Sequence, residues 1–175
     1  MQHNGICVSE AIEQRRSVRQ FQNRPVPNEL LVSLCKAGLC APSARNGQPW
    51  EMIVVRQREL LKQLSAIRKP WHALVTAGAA IVICGREEKY LQQDCAAAAE
   101  NILLLAQAMG LGACWLGLYP NRDAQEAVQT LLQLPEDIMA VMIIAIGYPD
   151  DPVQRAPREM NAAKIHFERF GGKAS

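Results

Sequence analysis

The chain has 175 residues, 49% of them hydrophobic and 21% charged, which suits one globular domain with a substantial core and excludes a disordered or fibrous chain. Lys and Arg (19) barely outnumber Asp and Glu (17), so no general positive field exists to hold nucleic acid or an acidic membrane surface. Any basic function has to be local.

Residues 1–10 carry no charged leader followed by an apolar run, and the expected location is the cytoplasm. Val8, Ala11 and Ile12 recur at helical spacing behind Ser9 as a candidate N-cap, with Glu10 and Glu13 ahead of Arg15 and Arg16 in the order a helix dipole favours. This first helix ends near Arg16. After Pro25 and Pro27, Asn28 is placed to cap a second helix, in which Leu30, Leu31, Leu34, Cys35 and Gly38 form one stripe as far as Ala41. Residues 42–49 are dense in turn formers and predict a loop, and a strand follows over 50–55.

A helix over 57–67 and a short buried strand over 79–84 come next, while the pattern assigns nothing to 68–78. Residues 87–109 predict a long helix, apolar nearly all round after Tyr90, that belongs in the middle of the structure. The most apolar stretch, 102–119, is interrupted by Gln107, Gly110 and Gly112, which argues against a membrane span. A strand over 113–118, an amphipathic helix over 122–132 and a doubly buried strand over 138–146 complete the core, and Gly147-Tyr148-Pro149 stops the last strand. The tail from 150 contains Pro152, Pro157 and a weakly helical 162–170, with too little apolar surface to fold alone. The order predicts one domain over 1–175, a sandwich of helices around one sheet.

Arg15, Arg16 and Arg19 bracket Ser17, and guanidinium forks match phosphate oxygens bidentately. The same residues also read as cations on a helix C-terminus. The loop 42–49 combines small residues, two amides and an arginine, a composition that exposes backbone donors to a ligand or makes an ordinary turn. Gly110-Leu111-Gly112 lacks the G-x-G-x-x-G spacing and follows a helix, so a Rossmann loop is excluded; Gly110 reads as a helix C-cap and Gly117 as a point of close ligand approach. His3, His72 and His166 stand apart and predict no metal, the serines lack a nucleophile elbow, and Asp94 and Glu100 make no carboxylate pair. The six cysteines are scattered without a C-x-x-C pair and predict buried, reduced thiols. No catalytic side chain emerges.

Together, Arg15-Arg16-Ser17-Val18-Arg19, Ala41-Pro42-Ser43-Ala44-Arg45-Asn46-Gly47-Gln48-Pro49-Trp50, Ala99-Glu100-Asn101 running on to Gly110-Leu111-Gly112, Trp115-Leu116-Gly117 and Gly147-Tyr148-Pro149 resemble, in order and spacing, the nitroreductase-like flavoproteins. That resemblance implies an α+β fold with a mixed central sheet flanked by helices, and a homodimer with FMN at the subunit interface. It implies that Arg15 and Ser17 hold the phosphate or ribityl chain, that Arg16 also binds the cofactor, that Arg19 reaches the pyrimidine edge of the ring, and that Pro42, Ser43, Ala44 and Asn46 come from the partner subunit. Leu116 and Gly117 would offer backbone N–H groups near flavin N5 and O4, and Arg155 or Arg158, in a tail lying on the partner, would complete the phosphate site. The implied activity is ping-pong reduction of a small-molecule electron acceptor, a nitroaromatic, quinone or flavin, with NADH or NADPH as donor. The alternative is an FMN-binding module without turnover. The departures from the family pattern are Glu51 after Trp50, a short chain without an inserted helical excursion, and a loosely matching Arg155-Ala156-Pro157-Arg158.

Overall fold

Two strands, β2 (Ala79–Arg86) and β4 (Ile138–Gly147), are buried on both faces, as their unbroken apolar runs require. Ala79, Ile81 and Ile83 of β2 join Ile144 and Ile146 of β4 in one core. Ala80, Val82, Cys84, Ile143 and Ala145 enter a second core across the sheet, the two-residue alternation of extended chain. β1 (Trp50–Val55) flanks β2 and β3 (Gly112–Gly117) flanks β4, giving the order β1-β2-β4-β3 with each adjacent pair antiparallel. The parallel component of the expected mixed sheet is one bridge, Ser17 to Ala113. The computed structural model describes residues 6–151 and 160–173.

Helices α2 (Asn28–Leu39) and α5 (Leu91–Ala108) cover the first face through Leu31, Leu34, Ala98 and Ile102. The second face is covered by α3 (Arg58–Ile67), the short α4 (Ala73–Thr76) and α6 (Arg122–Leu132), through Leu61, Leu64, Leu74 and Val128. Each fully buried Leu or Ile contributes about 1.5–3 kcal/mol relative to leaving it in water. α1 (Val8–Gln14) rests against α5. An antiparallel sheet with helices on both faces is an α+β architecture.

Two local devices set the course of β3. At its start Gly110 takes φ +72°, and the N–H groups of Leu111 and Gly110 donate to Ala106 (2.8 Å) and Gln107 (3.1 Å), a Schellman turn that ends α5 as the sequence predicts. Beyond its end, the β2/β4 register slips between Ile83 and Cys84, leaving Val141 without a partner on β2. The Val141 carbonyl accepts instead from Leu118 (3.2 Å) and Tyr119 (3.3 Å), so a bulge anchors the chain as it leaves β3.

The structure departs from expectation at helix starts. Cys7, not Ser9, is the N-cap of α1, and its N–H donates to Glu10 Oε2 at 3.3 Å. Asn28 is the first residue of α2 behind Pro27, and its Oδ1 accepts from Arg56 at 2.6 Å. α5 begins at Leu91 rather than at 87, because Glu87 pairs outward with Arg122 (3.1 Å). All six cysteines are free, but burial holds only for Cys84, Cys95 and Cys114; Cys7 and Cys40 are exposed. Residues 68–78 form a 3-10 turn (Lys69–Trp71) and α4, pinned by the buried Trp71. No helix among the described residues is long and apolar enough to cross a membrane.

Candidate functional site

α1 stops at Gln14, and Arg15 leaves it with φ −54° and ψ 130°, so the arginines divide: Arg16 caps the helix end through the Glu13 carbonyl, while Arg15 and Arg19 lie on the chain beyond it. They form an arm beside β3, where Ser17 bridges to Ala113 and Val18 N–H donates to the Ala113 carbonyl at 3.0 Å. Gly112 makes this approach possible, since a Cβ there would come within 2.8 Å of Val18. Gly147 does the same for Phe21, which bridges to Pro149. With Val18 buried against the sheet, the alternation of extended chain turns Ser17 and Arg19 to the other side.

The three arginines are held differently. Arg15 Nε is buried and lies 3.3 Å from Glu100 Oε1 of α5, close enough for Coulombic attraction but not aligned as a hydrogen bond. No hydrogen bond to the terminal nitrogens of Arg15 is made by the described residues. Arg16 folds back to donate to the carbonyls of Glu13 (2.6 Å) and Arg15 (2.8 Å). Arg19 is exposed, and its charge pulls the Cys114 thiol of β3 downward against the larger upward push of burial. The arm meets β3 at Ala113 and by Phe21 has reached Gly147 and Pro149; further along β3, Leu116 is buried and Gly117 is exposed with open space where a side chain would be.

Arg68 was invisible to sequence reasoning. Its Nη1 donates to the Gly117 carbonyl at 3.1 Å, and its guanidinium lies 5.7 Å from the Trp71 ring centroid. The only signal was a lone arginine before Lys69-Pro70-Trp71, in a stretch with no periodicity to place it.

The loop 42–49 lies ahead of β1, at the opposite edge of the sheet from the arm. Two strands stand between β1 and β3, which at about 4.8 Å per step separates these edges by roughly 14 Å. The structure therefore gathers Arg15, Ser17, Arg19, Leu116 and Gly117 along one edge and Pro42, Ser43, Ala44 and Asn46 near the other. Arg155 and Arg158 lie outside the described residues. Between α1, α2 and α5 runs an apolar groove of about 360 Å³, lined among others by Ile6, Val8, Ala37, Leu104 and Leu105. Val8 (71% exposed) and Ile12 (57%) leave α1 with apolar surface of its own in the same region.

This layout is that of the nitroreductase fold. A solved structure from Bacteroides thetaiotaomicron, a "Putative NADH dehydrogenase/NAD(P)H nitroreductase", superposes with a TM-score of 0.88 at 37% identity, over 95% of this chain and 99% of that one. An "FMN-dependent Nitroreductase" from Clostridium difficile matches with a TM-score of 0.86 at 30% identity, covering 93% and 99%. A "Putative NADH dehydrogenase/NAD(P)H nitroreductase" of Archaeoglobus fulgidus is 41% identical over 164 residues, 89% of this chain and 94% of its own. The model of the family described as "Putative TM nitroreductase" matches residues 7–168, and the chain belongs to that family.

Proposed function

We propose that the protein is an FMN-dependent NAD(P)H oxidoreductase that works as a homodimer and reduces small electrophilic acceptors such as nitroaromatics, quinones or flavins. The observation that carries this reading is the arm of Arg15, Ser17 and Arg19 held against β3, the strand that ends in the open backbone at Gly117. Its donor set fits FMN: cations and a hydroxyl at one end for phosphate, an exposed guanidinium further on, and a strand end with no side chain to fill the space above it. A relative of known structure is named as FMN-dependent, and others are named as FMN or flavin reductases.

Arg15 and Ser17 bind the phosphate and ribityl end, and Glu100 beside Nε leaves the two terminal nitrogens of Arg15 to face it. Arg16, occupied by carbonyls of α1, steadies the turn out of the helix. Arg19 sets a positive charge at the pyrimidine edge of the ring, where negative charge collects on reduction. Gly117 turns its backbone N–H to the outer side of β3, the side Ala113 turns to the arm, whereas the Leu116 N–H faces β4; Arg68 fixes the Gly117 peptide by its carbonyl. Bound FMN would supply the redox chemistry, two-electron transfer from NADH or NADPH to the acceptor, so no side-chain acid, base or nucleophile is required. The chain's part is to orient donor and acceptor in turn over one ring face, a ping-pong sequence.

The separation of the two strips and the apolar groove on α1, α2 and α5 support the dimer. The loop 42–49 of one chain meets the arm of the other. Free thiols suit the reducing cytoplasm. The test is the visible spectrum of the purified protein with FMN before and after anaerobic NADH or NADPH. Bound FMN that bleaches is the expected result, and protein that stays colourless after incubation with FMN overturns the reading. Bound FMN that neither nucleotide bleaches points to a binding module without turnover.

A further inference from the structure

Among the described residues only two polar side chains are buried, Asp94 and Gln125. Gln125 of α6 has a structural task, donating to the Ala140 carbonyl of β4 at 2.9 Å. Asp94, in the first turns of α5 and 6% exposed, is harder to account for by stability. Its Oδ1 accepts from the Ala44 N–H at 3.0 Å, and its Oδ2 is buried with no donor. A buried carboxylate with one oxygen unsatisfied is less favourable than an apolar residue of similar size, even at the positive end of a helix.

What Asp94 holds is a strained loop. Arg45, Asn46 and Gln48 have φ of 53°, 55° and 48°, left-handed values that disfavour residues with a Cβ, while Gly47 among them takes φ −69°. Three such residues in four persist only where the surroundings over-determine them, and that condition is typical of ligand clamps. The other hydrogen bonds of the loop are internal: Gln48 N–H to Ser43 Oγ (3.0 Å), Gln48 Nε2 to Asn46 Oδ1 (3.2 Å), Asn46 N–H to the Ser43 carbonyl (3.0 Å) and Gly47 N–H to the Ala44 carbonyl (3.0 Å). The Asp94 bond ties the loop to the body of the protein.

We propose that Asp94 is a positioning residue: through Ala44 N–H it keeps the loop 43–48 in its strained, ligand-ready form before flavin binds. The proposal rests on the flavin reading above. Asp94 touches neither cofactor nor substrate in this role, and its effect is on FMN affinity rather than on hydride transfer at saturating FMN.

The test compares FMN dissociation constants, read from quenching of FMN fluorescence, for the full-length wild type, Asp94→Asn, Asp94→Leu and Ala44→Pro. Asn keeps an acceptor for Ala44 N–H and is expected to bind FMN within about threefold of wild type. Leu removes the acceptor, and Pro removes the donor at a position that tolerates it, the first residue of a 3-10 turn behind an extended Ser43. Each is expected to weaken FMN about tenfold or more, the loss typical of a hydrogen bond to a charged group, and the double variant no further. Leu should leave the unfolding midpoint unchanged or raised, and the Ala44 amide should exchange faster in apo Asp94→Leu. A merely structural carboxylate would lose stability and affinity together. Wild-type affinity in either Asp94→Leu or Ala44→Pro, or Asn binding as weakly as Leu, overturns the proposal alone. A wild type that takes up no FMN overturns the flavin reading and the proposal with it.

Discussion

Arg15 and Arg19 are four residues apart on one arm, yet their surroundings give them separate tasks. Arg15 is largely buried and lies beside Glu100, whereas Arg19 is exposed and pairs with no carboxylate among the described residues. Replacing Arg15 by Ala should weaken FMN binding roughly 10- to 150-fold, the equivalent of about 1.5–3 kcal/mol for a lost charge-assisted contact. Lys at 15 should recover little, because it keeps the charge but not the fork. Arg19→Ala should lower the flavin midpoint potential by about 30–60 mV, since it removes a charge that favours the reduced ring. Spectroelectrochemical titration of both variants separates the two roles: an unchanged potential in Arg19→Ala would remove that residue from the ring. The residue types of this arm were legible in the sequence, but their geometry was not. Whether the arginines cap a helix or form an arm depends on where α1 ends and on the room Gly112 leaves for Val18, a tertiary fact no local pattern carries.

At the scale of elements, α6 and β4 were readable because their signals are long and unmixed: a β-branched run buried on both faces, or apolar residues at helical spacing. The short stretch 68–78 was not, because its structure comes from the burial of Trp71 and the bond from Arg68 to Gly117, both long-range. The N-caps failed for a related reason. Ser9 and Cys7 both carry a side chain able to cap, and Glu10 decides between them by reaching back to the Cys7 N–H.

The buried elements also carry a titration with a definite sign. Burial pushes the Cys84 thiol of β2 up to about 11 and the Cys95 thiol of α5 up to about 12, from an ordinary value of 9.0. In the unfolded chain both ionise from pH 9 upward, while in the folded protein they keep their protons. The unfolded state then binds fewer protons, and stability falls as pH rises from 9 through 11 to 12. Denaturant unfolding across pH 8 to 12 should show this fall, and it should be shallower in a Cys84→Ala/Cys95→Ala variant. Equal slopes would mean that the two thiols do not contribute.

For the whole molecule, the decisive feature is that the sheet order places the arm and the loop at opposite edges, with α5 tied to both: Asp94 to Ala44 and Glu100 to Arg15. In the proposed two-fold dimer the arm of each chain would pair with the loop of the other, giving two equivalent sites from one repeated contact. The prediction is a complementation. Arg15→Ala damages only the arm, and a bulky Ser43→Trp blocks only the loop, so either homodimer should have little FMN-dependent NAD(P)H oxidation. When the two variants are unfolded together and refolded at equal amounts, half of the dimers are mixed, and each mixed dimer contains one intact arm facing one intact loop. Activity should return to about a quarter of the wild-type value. If both strips served a site within one chain, mixing would restore nothing, because every chain would remain damaged in its own site.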